Sequence, residues 1–343
     1  MLPAYLNMKE PILHIFNPDT DYALAAGNLI YTPSAKLKRV RANFALLPAL
    51  WAEYGDFILL LDNDAGASHS PKWGNIIDRK KINLLAFDDL VSYAHSFSSI
   101  RPWGWNFTLI ESLKGKGVQP SILPSSQALE AYRNLSHRKT CIAFRNLLHR
   151  YLPALPMPPV QELKSKKEVY RFLSENPEAV FKAPWSSSGR GVIFSKNFTR
   201  SLLDEWTLGT IRKQGSIMGE PHFNRILDFA TEWECENGKA SYIGLSVFET
   251  SSRGKYKHNI NASQSELYDL ISKNSMLWGE NIILAQKMAI ENLIASQYTG
   301  PVGIDMLIDA NHIINPCVEI NLRMTMGRAA IHARENGLLI ENL

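Results

Sequence analysis

Gly303-Ile304-Asp305-Met306-Leu307 and Val318-Glu319-Ile320-Asn321-Leu322-Arg323 decide the fold of this chain. Both stretches alternate apolar and polar side chains with period two, the pattern of a strand that buries one face. If the two strands are neighbours, Asp305 stands on one, and Glu319 and Asn321 stand on the same face of the other. Three oxygen ligands converge there without histidine or cysteine, a set that suits Mg²⁺ held between a few protein groups and phosphates. The plainer alternative is a half-solvated sheet face. Acidic and amide groups inside such apolar strands, with Arg323 directly after them, favour the metal site.

Upstream, Phe181-Lys182-Ala183-Pro184-Trp185-Ser186-Ser187-Ser188-Gly189-Arg190-Gly191-Val192 reads as a strand that delivers a lysine and opens into a small-residue loop before the chain returns. Lysine supplies a point charge for phosphate oxygens, and Ser and Gly let backbone N–H groups approach them. No G-x-x-x-x-G-K-[ST] occurs, so this is not a Walker loop. Between the two features lies the strand Ser216-Ile217-Met218-Gly219-Glu220, with Asp228 eight residues on. In a nucleotide site the backbone of such a strand can bond an adenine edge, and a downstream carboxylate can accept from ribose hydroxyls.

Around these features the chain alternates regularly. Residues 1–125 read as strands (Ile12–Asn17, Asp56–Leu61, Ile82–Phe87 and Ser121–Pro124) between helical stretches such as Asn43–Tyr54, which implies a mainly parallel sheet. The Asn17-Pro18-Asp19-Thr20-Asp21 loop then falls at a strand's carboxyl end, where open α/β sheets bind ligands, although the same residues commonly cap helices. A helix at Ser136–Tyr151, a proline-rich connector at Leu152–Pro159 and a small α+β unit follow. Beyond Asp228 come a hairpin turning on Asn237-Gly238, a long helical region at Glu266–Ser296, the two deciding strands and a last helix, Met326–Asn336.

Composition excludes several classes. With 343 residues, 45% hydrophobic and 20% charged, the chain buries a large core without staples. Cys141, Cys235 and Cys317 form no CxxC pair, so neither a disulfide framework nor a zinc site is expected, and a reducing, cytoplasmic setting fits. The start shows no export signal, and no apolar run reaches membrane-spanning length. A net charge of +4 with scattered basic residues gives no nucleic-acid footprint. The Lys36, Lys38, Arg39, Arg41 cluster reads as a solvated face ahead of a phosphate contact. Trp103 and Trp105 fit core packing and a pocket lining equally well.

Taken in order, from about Ser136 to Arg328, these features resemble the ATP-grasp superfamily, which includes D-alanyl-D-alanine ligase, biotin carboxylase and glutathione synthetase. The Asp305…Glu319-x-Asn321-x-Arg323 ending is the most specific part. The resemblance implies an α/β and α+β chain: a Rossmann-like pre-ATP-grasp parallel-sheet domain (1–125), a small α+β subdomain with the Ser/Gly loop (126–220) and a carboxyl-terminal subdomain with the metal ligands (221–343). It implies Lys139 and Lys182 as phosphate contacts, and Ser186, Ser187, Ser188, Gly189 and Gly191 as the flexible cover. Met218, Gly219 and Glu220 would lie beside adenine, and Asp228 by the ribose, with Glu220 or Glu232 as alternatives for that part. Asp305, Glu319 and Asn321 would bind Mg²⁺, with Mn²⁺ as substitute.

The implied activity is ATP-dependent: a small-molecule carboxylate becomes an acyl phosphate and an amine attacks it. Lys257, with Lys255 close behind, and Arg323 would serve the developing charge. Many such ligases carry arginine two residues before the first metal acid, where this chain has Gly303, and Arg323 or Arg225 would supply the missing charge. A small-molecule kinase of the same fold and a nucleotide-binding protein without turnover are the rivals. No nucleic-acid or membrane partner is expected, and a homodimer would be the commonest closed assembly.

Overall fold

Short apolar runs between amphipathic stretches build the first third of the chain as a parallel sheet. The protein is seen here as a computed structural model, which describes residues 10–27, 29–62, 71–186, 191–251 and 255–338. It divides into two compact units, Met1–Leu129 and Glu130–Leu343. The first contains β1 (Ile12–Ile15), α1 (Thr20–Ala25), α2 (Ala35–Asn43), β2 (Phe57–Leu60), α3 (Pro71–Lys80), β3 (Asn83–Ala86), α4 (Leu90–Tyr93), β4 (Ser99–Pro102) and α5 (Phe107–Gly115), and α6 (Ser126–Leu135) runs on from it. The strand order is β3-β2-β1-β4, all parallel. β1, the chain's Ile-Leu-His-Ile run, is buried throughout.

Two expectations are corrected here by proline. The fourth strand is Ser99–Pro102, not Ser121–Pro124, which instead lies about a 3₁₀ turn at Pro120–Ile122. Pro120 opens that turn and Pro124 follows it, and neither has an N–H to give a ladder. Pro102 is tolerated in β4 because that strand is an edge, where it pairs with β1 on one side. Likewise Asn43–Tyr54 is not one helix: α2 ends at Asn43, and Pro48 leaves a single 3₁₀ turn at Leu47–Leu50. Trp103 packs edge-on against Phe16 at 5.0 Å and is buried, so it belongs to the core.

The second unit holds two antiparallel sheets. α7 (Thr140–Tyr151), β5 (Gln161–Leu163), α8 (Lys166–Glu175), β6 (Ala179–Lys182), β7 (Val192–Phe194), α9 (Arg200–Gln214) and β8 (Ile217–Pro221) come first. Their strands run β5-β8-β6-β7, and Leu163, Phe181, Ile193 and Ile217 pack with Val169 and Phe172 of α8 and Leu203 of α9. Then follow β9 (Arg225–Glu236), β10 (Lys239–Thr250), β11 (Tyr256–Asn259), α10 (Gln264–Asn274), α11 (Glu280–Leu293), β12 (Gly300–Asp309), β13 (Ile314–Asn321) and α12 (Met326–Glu335), with strand order β11-β10-β9-β12-β13.

Asn237 (φ 51°) and Gly238 (φ 76°) both take the left-handed conformation that the tight β9–β10 turn requires. The helical region expected at Glu266–Ser296 consists of two helices, and Trp278 between them drops into the core and meets Phe229 edge-on at 5.4 Å. Strand alternation in the five-stranded sheet sends Phe229, Trp233, Ile304, Met306 and Ile320 to one face, against α7, α10 and α11.

Candidate functional site

The opposite face of that sheet gathers the polar side chains. Asp305 of β12 pairs in register with Glu319 of β13, and Gly303 pairs with Asn321. On its other side β12 sets Gly303 against Glu232, Asp305 against Ala230 and Leu307 against Asp228 of β9. Residues paired across antiparallel strands share a face, so Asp228, Glu232, Asp305, Glu319 and Asn321 all lie on one side. Carboxylates directly opposite each other repel. Burial first, then Glu319 and Glu232, push the Asp305 carboxyl up to about 8. Burial also works against charge on Glu319, but Arg138, Lys182 and Arg323 outweigh it and hold that carboxyl below its usual range.

The four-stranded sheet supplies the facing wall. Lys182 of β6 pairs in register with Met218 of β8, and Val180 with Glu220, so these four share a face, while Phe181 and Gly219 turn to the α8–α9 core. Lys182 Nζ makes a buried ion pair with Glu220 Oε1 and lies 3.5 Å from the Val318 carbonyl of the other sheet. Between the sheets is a cleft of about 360 Å³, lined among others by Arg138, Lys182, Glu220, Asp228, Asp305 and Glu319, with Phe194, Phe223 and Phe248 as its apolar part. Three cations (Arg138, Lys182 and Arg225) and four carboxylates therefore meet one space. The carboxylates exceed the cations by one, and Asp305, Glu319 and Asn321 present oxygen atoms only, the donor type a hard divalent cation takes.

Arg138 is the residue that sequence reading passed over in favour of Lys139. It is buried just before α7 and donates through Nη2 to Glu319 Oε1 at 2.6 Å. Its Nη1 donates to the Ala183 carbonyl (2.5 Å) and to Ser186 Oγ (2.8 Å), and Nη2 reaches the Ser186 carbonyl at 3.1 Å. Arg138 thus ties the start of the Ser/Gly segment to the β13 carboxylate. Lys139 is exposed and does not line the cleft.

The remaining residues singled out from sequence are placed as follows. Ser186 and Gly191 close the described ends of the loop. Gly191 accepts from Ala183 N–H at 2.7 Å, and a side chain there would run into Ser186. Ser187, Ser188 and Gly189 lie outside the described residues. Met218 is buried, and Gly219 is glycine because a β-carbon would press on Leu163 and Phe172. Asp228 accepts from Thr250 Oγ1 at 2.6 Å and faces Arg225 at 3.5 Å; burial, countered by Arg225, Thr250 and Lys182, raises its carboxyl above the usual range.

Arg323 donates to Asn321 Oδ1 at 2.8 Å. Gly303 has no room for the arginine many such ligases carry there, since a β-carbon would meet Thr325 Cγ2 at 2.7 Å and Glu232 Oε2 at 3.2 Å. Lys257 sits exposed on the edge strand β11, 3.7 Å from Glu249, and neither it nor Lys255 lines the cleft.

The fold has counterparts among solved structures. Biotin carboxylase from Campylobacter jejuni, in a β-γ-ATP complex, superposes with a TM-score of 0.56 at 14% identity, over 96% of this chain and 69% of that one. The chain has the ATP-grasp fold. The biotin carboxylase domain dimer of Hydrogenobacter thermophilus 2-oxoglutarate carboxylase, with MgADP, ADP and bicarbonate, gives 0.53 at 11% identity over 97% and 71%. N5-carboxyaminoimidazole synthetase from Staphylococcus aureus with ADP gives 0.51 at 12% over 93% and 73%. No protein-family model matches the sequence, and no curated protein sequence does. At these identities the likeness to ATP-grasp structures is one of fold. No helix among the described residues is long and apolar enough to cross a membrane.

Proposed function

We propose that this chain is an ATP- and Mg²⁺-dependent ligase that activates a small-molecule carboxylate as an acyl phosphate and passes it to an amine. One observation carries the reading. Asp305 and Glu319, paired on adjacent strands, face the buried Lys182–Glu220 pair and Arg138 across a single cleft. ATP-grasp structures with nucleotide in their crystals superpose on 93%, 96% and 97% of this chain.

Asp305, Glu319 and Asn321 would hold the metal, with Mn²⁺ as substitute, and Lys182 and Arg138 would bear on the phosphates. The metal–nucleotide, when bound, supplies the transferable phosphoryl group and neutralises charge as it develops. Met218–Glu220 would flank the base, and Asp228, held by Thr250, would accept from the ribose. Residues 126–220 then provide the lysine side of the cleft, 221–343 the carboxylate side, and 1–125 the pre-ATP-grasp domain. A carboxylate oxygen attacks the γ-phosphorus and ADP leaves. The amine then attacks the acyl carbon, phosphate leaves and the nitrogen gives up a proton. Arg323 would steady the charge of that second step. Little covalent chemistry falls to the protein, so positioning and electrostatics dominate.

The test is release of ADP and phosphate from Mg-ATP across pools of carboxylates and amines, with mass spectrometry of products. Equimolar ADP, phosphate and an amide support the proposal. A stable phosphorylated product would make the chain a kinase, and nucleotide binding without release a binding protein.

A further inference from the structure

The first unit contains a cavity of its own. Its wall is assembled from segments that follow the carboxyl ends of all four parallel strands: Asn17 and Asp19 after β1, Leu61 after β2, Phe87 after β3, and Asn106 with Leu109 after β4. In open α/β sheets this is the crevice where ligands bind. The cavity measures about 150 Å³, which is the size of one that admits benzene.

The polar groups of this wall are spent on the fold, with one exception. Asn17 donates to the Gly104 carbonyl at 2.7 Å and accepts from Gly104 N–H at 3.3 Å. Asn106 caps α5 through Leu109 N–H at 2.9 Å and donates to Thr20 Oγ1 at 3.2 Å. Thr108 Oγ1 accepts from Tyr31 N–H at 2.9 Å. Arg41 spends Nε and Nη2 on Asp62 at 2.6 and 2.7 Å. Asp19 is different. It stands before α1, where an aspartate usually caps, yet its side chain makes no capping bond. It is 8% exposed, and its Oδ1 receives no hydrogen bond among the described residues, with Arg41 Nη1 4.0 Å away.

A buried carboxylate oxygen without a donor costs free energy, and Asp19 and Asp62 together exceed Arg41 by one negative charge. We infer that this cavity is a binding site for a small primary ammonium ligand, its cation on Asp19 and its short apolar part against Leu61, Phe87 and Leu109. Burial, opposed by the Arg41 guanidinium 4.0 Å away, lifts the Asp19 carboxyl above its ordinary range. The inference stands on the first unit alone and does not depend on the ligase reading.

The experiment is calorimetric titration of the whole chain with butylammonium, and with 1-butanol and butyrate as neutral and anionic counterparts. Saturable binding of the ammonium alone is expected, weakened roughly tenfold or more in Asp19→Asn, which keeps the cavity's shape. If Asp19→Asn melts below the parent, Ser112→Trp replaces it: Ser112 is an exposed residue at the cavity's rim, and a bulky ring there should abolish binding. Absence of saturable ammonium binding, equal binding of butanol or butyrate, or undiminished binding in a natively folded variant would overturn the inference.

Discussion

The two faces of the five-stranded sheet are built from the same strands, one residue out of step, and they hold their polar atoms in opposite ways. On the helix-covered face the polar groups complete one another. Trp233 Nε1 donates to Thr231 Oγ1, which donates to Gln286 Oε1, and Gln286 Nε2 donates to the Pro316 carbonyl. Around this chain pack Phe229, Ile304 and Met306. The other face carries Asp228, Glu232, Asp305 and Glu319, and Glu232 Oε2 is buried without a hydrogen bond among the described residues. Stability is concentrated on one face, and unspent electrostatic capacity on the other. Real proteins break the rules of packing at functional sites and compensate elsewhere.

The comparison breaks most sharply if the apolar face is emptied. Phe229→Ala should cost about 3–5 kcal/mol, because the ring is fully buried against Trp278 and a cavity would remain. Urea unfolding of the variant measures it. A loss below about 1 kcal/mol would mean that this face is not where stability resides.

Next comes pH. Burial, only partly offset by Thr325, Arg328, Ser246 and Arg323, lifts Glu232 from 4.5 to about 7. Its folded-state value is raised, so the neutral acid's contribution is complete below pH 4.5 and is lost as pH rises through about 7. The loss is on the order of 3 kcal/mol. Glu232→Gln, isosteric and uncharged, should flatten that slope and be more stable than the parent above pH 7. Parallel pH–stability curves for the two proteins would remove Glu232 from this account.

The third test separates function from folding on the same face. Glu319→Gln should lower ATP-dependent turnover roughly 100-fold, about 2.7 kcal/mol of barrier, while shifting the urea midpoint far less than Phe229→Ala does, since the amide oxygen can still accept from Arg138. The contrast with Phe229→Ala is the point: two substitutions on one sheet, one read in the denaturation midpoint and one in the rate.

How much of this was legible beforehand follows from range. The Asp305–Asn321 face was readable because strand alternation is a local property, and the β12–β13 register places those side chains together. Lys182 and Glu220 were nameable one by one, but their ion pair depends on how β6 meets β8. The fourth strand was missed because Arg101-Pro102 contradicts strand propensity except at an edge, and an edge is a property of the whole sheet. Thr250 gave no signal, since its bond to Asp228 crosses the hairpin.

The smallest expected effect bears on Arg138, Lys139 and Lys257. Sequence alone offers consecutive basic residues at the start of α7 with no reason to prefer one. The choice is made by contacts far along the chain: Arg138 N–H donates to the Pro184 carbonyl at 3.2 Å, and its guanidinium is then aimed at Ala183, Ser186 and Glu319. Lys139 and Lys257 remain exposed, and surface charges are screened and contribute little. Arg138→Lys should therefore weaken Mg-ATP binding about tenfold, because a point charge cannot serve the Ser186 and Glu319 contacts together. Lys139→Ala and Lys257→Ala should each change affinity less than about threefold. The reverse ranking in nucleotide titrations would show that the exposed lysines reach the phosphates in the bound state, and that the Arg138–Glu319 pair only holds the two sheets together.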